Sequence, residues 1–351
     1  MYLSYSLYKS SYHITARKKL FRENFMKLKL WYNTKRDATA QQVKKDFQLA
    51  QEMGIDGINF QYTPQTISDI LPFAKEMDLQ IWRVLLCNHS VEIKRSHPEW
   101  FMVSRAGKSS CDFPPYVGYY NWLCPNQPAV VEYLLKEIKQ LCSYSQISAI
   151  HLDYIRYPDV ILPPALQPKY NLQQTSEAAA YDFCYCPSCR QKFMEISGKD
   201  PLQLQNPQSN LAWLKFRYDS INNLVRKLEE RIARFGKKTT AAVFPSPLLA
   251  RTLVRQDWQS WNLAAYYPMI YHNFYEESAD WIGQICRFNR NIIGHKSEIY
   301  AGIFLPAIQP PELKDICHQI IRNDADGIAL FDFASIKPQH WQIIKSLSKE
   351  N

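Results

Sequence analysis

The chain has 351 residues, 46% hydrophobic and 21% charged, which suits one large globular domain and excludes a disordered chain. No run of about 18 apolar residues occurs, so a membrane span is not expected. The formal charge is +9, and the 10 glycines form neither G-x-G-x-x-G nor G-x-x-x-x-G-K-[ST], which excludes phosphate-cradling nucleotide loops.

Residues 1–28 read as a basic tail or extension. Within the first 30 residues Lys9, Arg17, Lys18, Lys19, Arg22, Lys27 and Lys29 stand against Glu23 alone, so most of the positive charge precedes the folded region. No signal peptide is readable there, because no continuous apolar core of 7–15 residues occurs. A cytoplasmic location is the default expectation, with Met26 as an alternative start.

From residue 29 to about 345 short apolar runs alternate with amphipathic stretches. Strands are expected at 29–32, 57–62, 80–87, 149–154, 239–244, 264–271, 298–305 and 327–333. Helices are expected at 40–52, 66–77, 128–143, 211–235, 279–289 and 311–323, each with apolar residues three and four apart. Eight strands that alternate with helices describe a parallel sheet covered by helices, and their number points to a closed (β/α)8 TIM barrel. About 60 residues separate strands three and four, and about 85 separate strands four and five. These long loops after strands 3 and 4 fall on the face where barrels carry their chemistry.

The segment IHLDYIRYP (150–158) is the most informative. Strand alternation puts His151 and Asp153 on one face, and Asp153 ends the apolar run, so its carboxylate is expected at the barrel rim. Arg156 is its nearest candidate partner. His151, one layer deeper, reads as a hydrogen-bonded lumen residue rather than a base.

Several segments carry a resemblance: HPEW (97–100), WLCPNQP (122–128), IHLDYIRYPD (150–159), CYCPSCRQKF (184–193), RQDW (255–258) and YPMIYHNFY (267–275). With these the chain resembles the glycoside-hydrolase-like TIM-barrel proteins, the glycosyl hydrolase family 10-like bacterial group. The resemblance implies a glycosidase that acts on a poly- or oligosaccharide, with a functional residue at Asp153. Similar family members are often exported.

Glycosidic cleavage ordinarily needs two carboxylates. The expected tips of strands five to seven, AVFPSP, PMIYHN and GIFLPAI, offer none. Asp332 at the end of strand eight and Asp257 between strands five and six are the candidates for the second; Glu276 and Glu277 read as solvated loop residues. Sugar contacts are expected from Trp31, Arg83, Trp122, Tyr154, Arg156, Tyr267, Tyr271 and His272. The alternative is a non-catalytic or degenerate carbohydrate-binding barrel. The expected partner is a carbohydrate rather than nucleic acid, and no cofactor is called for in catalysis.

Nine cysteines are too few for a disulfide scaffold, and their number is odd. Cys184, Cys186 and Cys189 supply three thiols at a spacing that suits tetrahedral zinc. A zinc site, a disulfide with free thiols, and unligated cysteines all stay open from spacing alone. A similar pattern occurs in glycoside hydrolase family 42 β-galactosidases, whose barrels carry a structural zinc. That likeness implies Cys124 as the fourth ligand, with Cys111 as substitute.

Overall fold

Strand alternation decides this architecture, because each short strand must bury one face against helices and the other inside the barrel. The computed structural model describes residues 26–33, 38–61, 67–71 and 77–349. The expected basic extension lies outside the described residues up to residue 25, as do Tyr62 and half of the helix expected at 66–77.

Eight parallel strands close in sequence order: β1 (Lys27–Tyr32), β2 (Gly57–Gln61), β3 (Asp78–Val84), β4 (Ala149–Asp153), β5 (Lys238–Val243), β6 (Ala265–Pro268), β7 (Glu298–Phe304) and β8 (Gly327–Phe331). The fold is a (β/α)8 TIM barrel. Around it, among the described residues, run α1 (Ala40–Glu52), α2 (Ile67–Ile70), α3 (Val91–Ser96), α4 (Pro128–Cys142), α5 (Pro187–Ser197), α6 (Leu211–Ala233), α7 (Pro247–Val254), α8 (Asp280–Ile293), α9 (Pro310–Arg322) and α10 (Pro338–Ser348). The helices form for reasons local to the sequence. In α1 the Thr39 side chain accepts from Gln42 N as cap, and Val43, Phe47 and Ala50 turn to the barrel. In α4 Val130, Leu134, Ile138 and Leu141 form the buried stripe, each contributing roughly 1.5–3 kcal/mol on burial.

The long segments after β3 and β4 hold α3 and α4, and α5 and α6, together with irregular chain over the barrel mouth. Inside the barrel Trp31, Trp82, Ala242, Ala265, Tyr267, Tyr300 and Ala329 form a core of their own. Register aligns His151 with Trp82 on β3 and with Thr240 on β5. Lys27, expected in the basic extension, belongs to β1, which starts two residues before the expected strand. Lys29 turns into the barrel and pairs with Asp78 at 2.5 Å. Burial works against ionisation of Asp78, but Lys29, Ser148 and Gln80 hold its carboxyl below the usual range.

Gly302 on β7 shows how tightly the lumen is filled. A Cβ there would stand 2.9 Å from Pro268 O and 3.1 Å from the Trp31 ring. Replacing Gly302 with Ala is expected to destabilise the fold by about 1–3 kcal/mol, because backbone and a packed ring must both move. Urea unfolding checks this, and an unchanged midpoint would contradict the packing described.

Candidate active site

Asp153 ends β4 at the barrel mouth and is 7% exposed. Its Oδ2 accepts from Trp82 Nε1 at 2.8 Å, and its Oδ1 accepts from the Tyr154 backbone N–H at 2.6 Å. Tyr154 makes the second bond from a left-handed backbone, φ 49°, a conformation that costs a side-chain-bearing residue roughly 1–2 kcal/mol. Burial raises the Asp153 carboxyl above the ordinary aspartate range; the two donors and the Arg156 charge oppose it without cancelling it.

Arg156 is not the direct partner expected from sequence. It donates to Tyr157 O at 2.9 Å and to Asp159 Oδ2 at 3.0 Å, because Asp159 lies one turn away on the same loop. Its guanidinium lies about 5 Å from the ring centroids of Trp122, Tyr154 and Phe244. Arg156 therefore acts on Asp153 through its charge alone.

Below the carboxylate the lumen is wired by hydrogen bonds. Trp31 Nε1 donates to His151 Nε2 at 3.2 Å, so that nitrogen is the acceptor and Nδ1 carries the proton. His151 Nδ1 then meets Thr240 Oγ1 at 2.8 Å, and Thr240 donates to Gln80 Oε1 at 2.8 Å. Burial pushes the His151 pKa down to about 3, so it is neutral and unsuited to act as a base near pH 7.

The two candidate second carboxylates lie in different places. Asp332 follows β8, is half-buried, and accepts from Ser335 Oγ at 2.7 Å. Tyr271, 8% exposed, links it to Asp153: burial raises the Tyr271 phenol well above its usual range, and the charges of Asp153 and Asp332 both add to that. Asp257 instead sits in the helical layer. It accepts from Ser260 Oγ at 2.6 Å and lies 3.6 Å from Arg251 Nε. It lines an outer groove of about 600 Å³ with Tyr218 and Asn222 of α6. The chain after β5 runs outward through α7 before it turns to β6, which carries Asp257 away from the mouth.

The expected sugar contacts divide in the same way. Arg83 points outward and forks onto Glu137 of α4 at 3.0 and 2.8 Å, since its neighbour Trp82 takes the inward position. Trp31, Trp122 and Tyr267 are fully buried as packing. Tyr154, Arg156, Tyr271 and His272 line the mouth region; burial lowers the half-buried His272, and Glu312 opposes this. Glu276 and Glu277 are exposed. Sequence reasoning missed Trp82. The available signal was parity: with Gln80 and Trp82 on one face of β3, Arg83 had to take the other.

Cys124, Cys184, Cys186 and Cys189 come together with all four sulfurs within 4.8 Å of one another, and all four residues are buried. Cys124 Sγ lies 3.4 Å from Cys189 Sγ and 3.6 Å from Cys186 Sγ. Those separations exceed a disulfide bond of about 2.05 Å and approach the roughly 3.8 Å edge of a tetrahedron with 2.3 Å metal–sulfur bonds. Asn126 Nδ2 donates to Cys189 Sγ at 3.3 Å. A buried four-sulfur set of this kind can hold a metal such as zinc. Cys111 lies apart, its thiol directed at Lys94 O. The cluster joins the loop after β3 to the loop after β4.

No family model matches the chain, and no curated protein matches it in sequence. Solved structures do match in fold. The PgaB (BpsB) glycoside hydrolase domain from Bordetella bronchiseptica superposes with a TM-score of 0.70 at 9% identity, covering 92% of this chain and 99% of that one. A β-galactosidase from Bacillus circulans sp. alkalophilus gives 0.65 at 13% identity, covering 93% of this chain and 56% of that one. The catalytic domain of a β-amylase from Paenibacillus polymyxa gives 0.62 at 11% identity, covering 93% and 99%. At these identities the likeness is one of fold: a barrel of the kind that glycoside hydrolases use.

Replacing Trp82 with Phe removes one donor to the Asp153 carboxylate and keeps most of the ring. The Asp153 titration, followed by carboxyl-carbon NMR, is expected to move to higher pH, because only the ionised form gains from that N–H. An unmoved midpoint would mean that the hydrogen bond does not act on Asp153.

Proposed function

We propose that residues 29–345 form a glycoside hydrolase domain that cleaves glycosidic bonds of a poly- or oligosaccharide, with Asp153 and Asp332 as its two carboxylates. The observation that carries this reading is the buried Asp153 carboxylate, fixed at the barrel mouth by the Trp82 indole and the Tyr154 backbone N–H. Asp153, held by two N–H donors and raised by burial, suits the proton donor to the leaving oxygen. Asp332 serves as the second carboxylate across the sugar. Tyr154, Arg156, Tyr271 and His272 offer ring faces and donors for the substrate. The barrel likeness to glycoside hydrolases agrees with this reading.

The four cysteines hold a structural zinc, which ties the two long loops together and takes no part in bond cleavage. The fit rests on the burial of the set, its near-tetrahedral spacing and the Asn126 donor to one sulfur.

A second reading is favoured by one observation: Val243–Ser246, Pro268–Tyr271 and Phe304–Pro306, at the ends of β5, β6 and β7, contain no carboxylate. A barrel that binds glycan without cleaving it is consistent with that.

Replacing Asp153 with Asn is expected to lower reducing-end release from oligosaccharides by about 10²–10⁴-fold. Asp332→Asn should show a similar loss, and Asp257→Asn should keep activity. In the parent protein, release falls as pH rises through the Asp153 pKa, since the donor must be protonated. Glycan binding without any release would favour the second reading.

For the cysteine cluster, elemental analysis is expected to find one zinc per chain. Cys124→Ser should lower both the zinc content and Tm, while Cys111→Ser leaves the zinc in place. Zinc-free protein with four freely reactive native thiols would refute the site.

A further inference from the structure

The loops after β3 and β4 carry an aromatic series that leads away from Asp153. Tyr154, next to the carboxylate, lies 6.1 Å from Tyr120 between ring centroids, and Tyr120 lies 5.2 Å from Tyr119. The series opens to solvent as it goes. Tyr154 and Tyr120 are half-buried, and Tyr119 is 49% exposed.

A second bank draws on both loops, with Tyr116 after β3 and Tyr170 and Tyr181 after β4. Tyr116 lies 6.0 Å from Tyr170 and stacks on Tyr181 at 4.5 Å. Tyr116 also donates its hydroxyl to Asp159 O at 2.8 Å, which ties this bank to the turn that holds Arg156. Both loops end in the four-cysteine cluster, so they are held relative to one another.

The chemistry of the series narrows its ligand. Phe113–Cys124 contains no charged residue and Arg156 is neutralised by Asp159, while Lys169 lies 5.7 Å from the Tyr170 ring centroid in the second bank. A nucleic acid or other polyanion would call for lysine and arginine along its path. Tyrosine offers a ring face for the C–H side of a sugar and a hydroxyl for its O–H groups. An aromatic surface that extends outward from the cleaving carboxylate meets sugar units beyond the one whose bond is cut.

We propose that Tyr119, with Tyr120, forms an outer subsite for an uncharged oligosaccharide, so that the mouth takes an extended neutral glycan rather than a single terminal sugar. This rests on the glycosidase reading only in placing the cleaved bond at Asp153. The binding itself does not need catalysis.

The test measures affinity in the full-length Asp153→Asn chain, where turnover is blocked. The probes are di- and hexasaccharides of β-1,4-linked glucose, xylose and N-acetylglucosamine, with oligogalacturonate as the acidic control. At least one neutral hexasaccharide is expected to bind about tenfold more tightly than its disaccharide. Adding Tyr119→Ala should abolish that advantage and leave the disaccharide unchanged, while Tyr119→Phe keeps most of it. Equal affinity at both lengths, a preference for the acidic control, an unaffected alanine variant, or no binding by any neutral probe would overturn the proposal. Length-dependent binding without reducing-end release by the parent protein would sink the glycosidase reading and leave this one standing. Equal release from both lengths would do the reverse.

Discussion

In the barrel interior polar groups are shielded from solvent, and most of those turned into it find a partner within the protein; the buried amide of Asn59 on β2 is an exception. That constraint organises the molecule from the base of the lumen to its mouth. Lys29 and Asp78 neutralise each other near the base, and Gln80, Thr240, His151 and Trp31 pass hydrogen bonds upward. Asp153 comes last, where the same requirement is met by Trp82 and by the left-handed turn at Tyr154. A carboxylate held in that way has a fixed orientation, and its proton is retained to higher pH than usual. Lumen packing and candidate chemistry therefore share one cause.

The second organising feature lies outside the barrel. The loops after β3 and β4 are long enough to sample many conformations, and closing such loops costs entropy. Four buried cysteines gather the ends of both, and Asn126 connects that cluster to Ser220 of α6 at 2.8 Å. Nearby, the buried Arg217 of α6 meets Asp182 on the same loop at 2.5 Å. The aromatic banks at the mouth are thus carried on anchored chain, which is the condition for presenting rings to a ligand without first ordering them.

Much of this was legible in the residues. The starts of α1, α4 and α6 and the whole order of strands follow from apolar spacing and caps, because those signals are local. Cys184, Cys186 and Cys189 are readable for the same reason. The orientation of Arg83, Trp31, Trp122 and Tyr267 was not legible in the same way. Arg83 lies one residue from Trp82, yet it faces a helix rather than the lumen; the other three are buried in the packing. Arg156 met Asp159 instead of Asp153 because a loop turn, not the strand, sets its direction.

The sequence by itself determined the barrel, the long loops and the place of Asp153 at the end of β4, since each depends on periodicity or on a short segment. The tertiary structure alone decided which distant groups meet. Asp332 and Asp153 are far apart in the chain, and barrel closure places them at the ends of β8 and β4, while Asp257 is carried outward between helices. Cys124 joins the other three cysteines only when the two loops fold over the mouth. Such meetings depend on strand register and loop path, and neither is a property of any local stretch of residues.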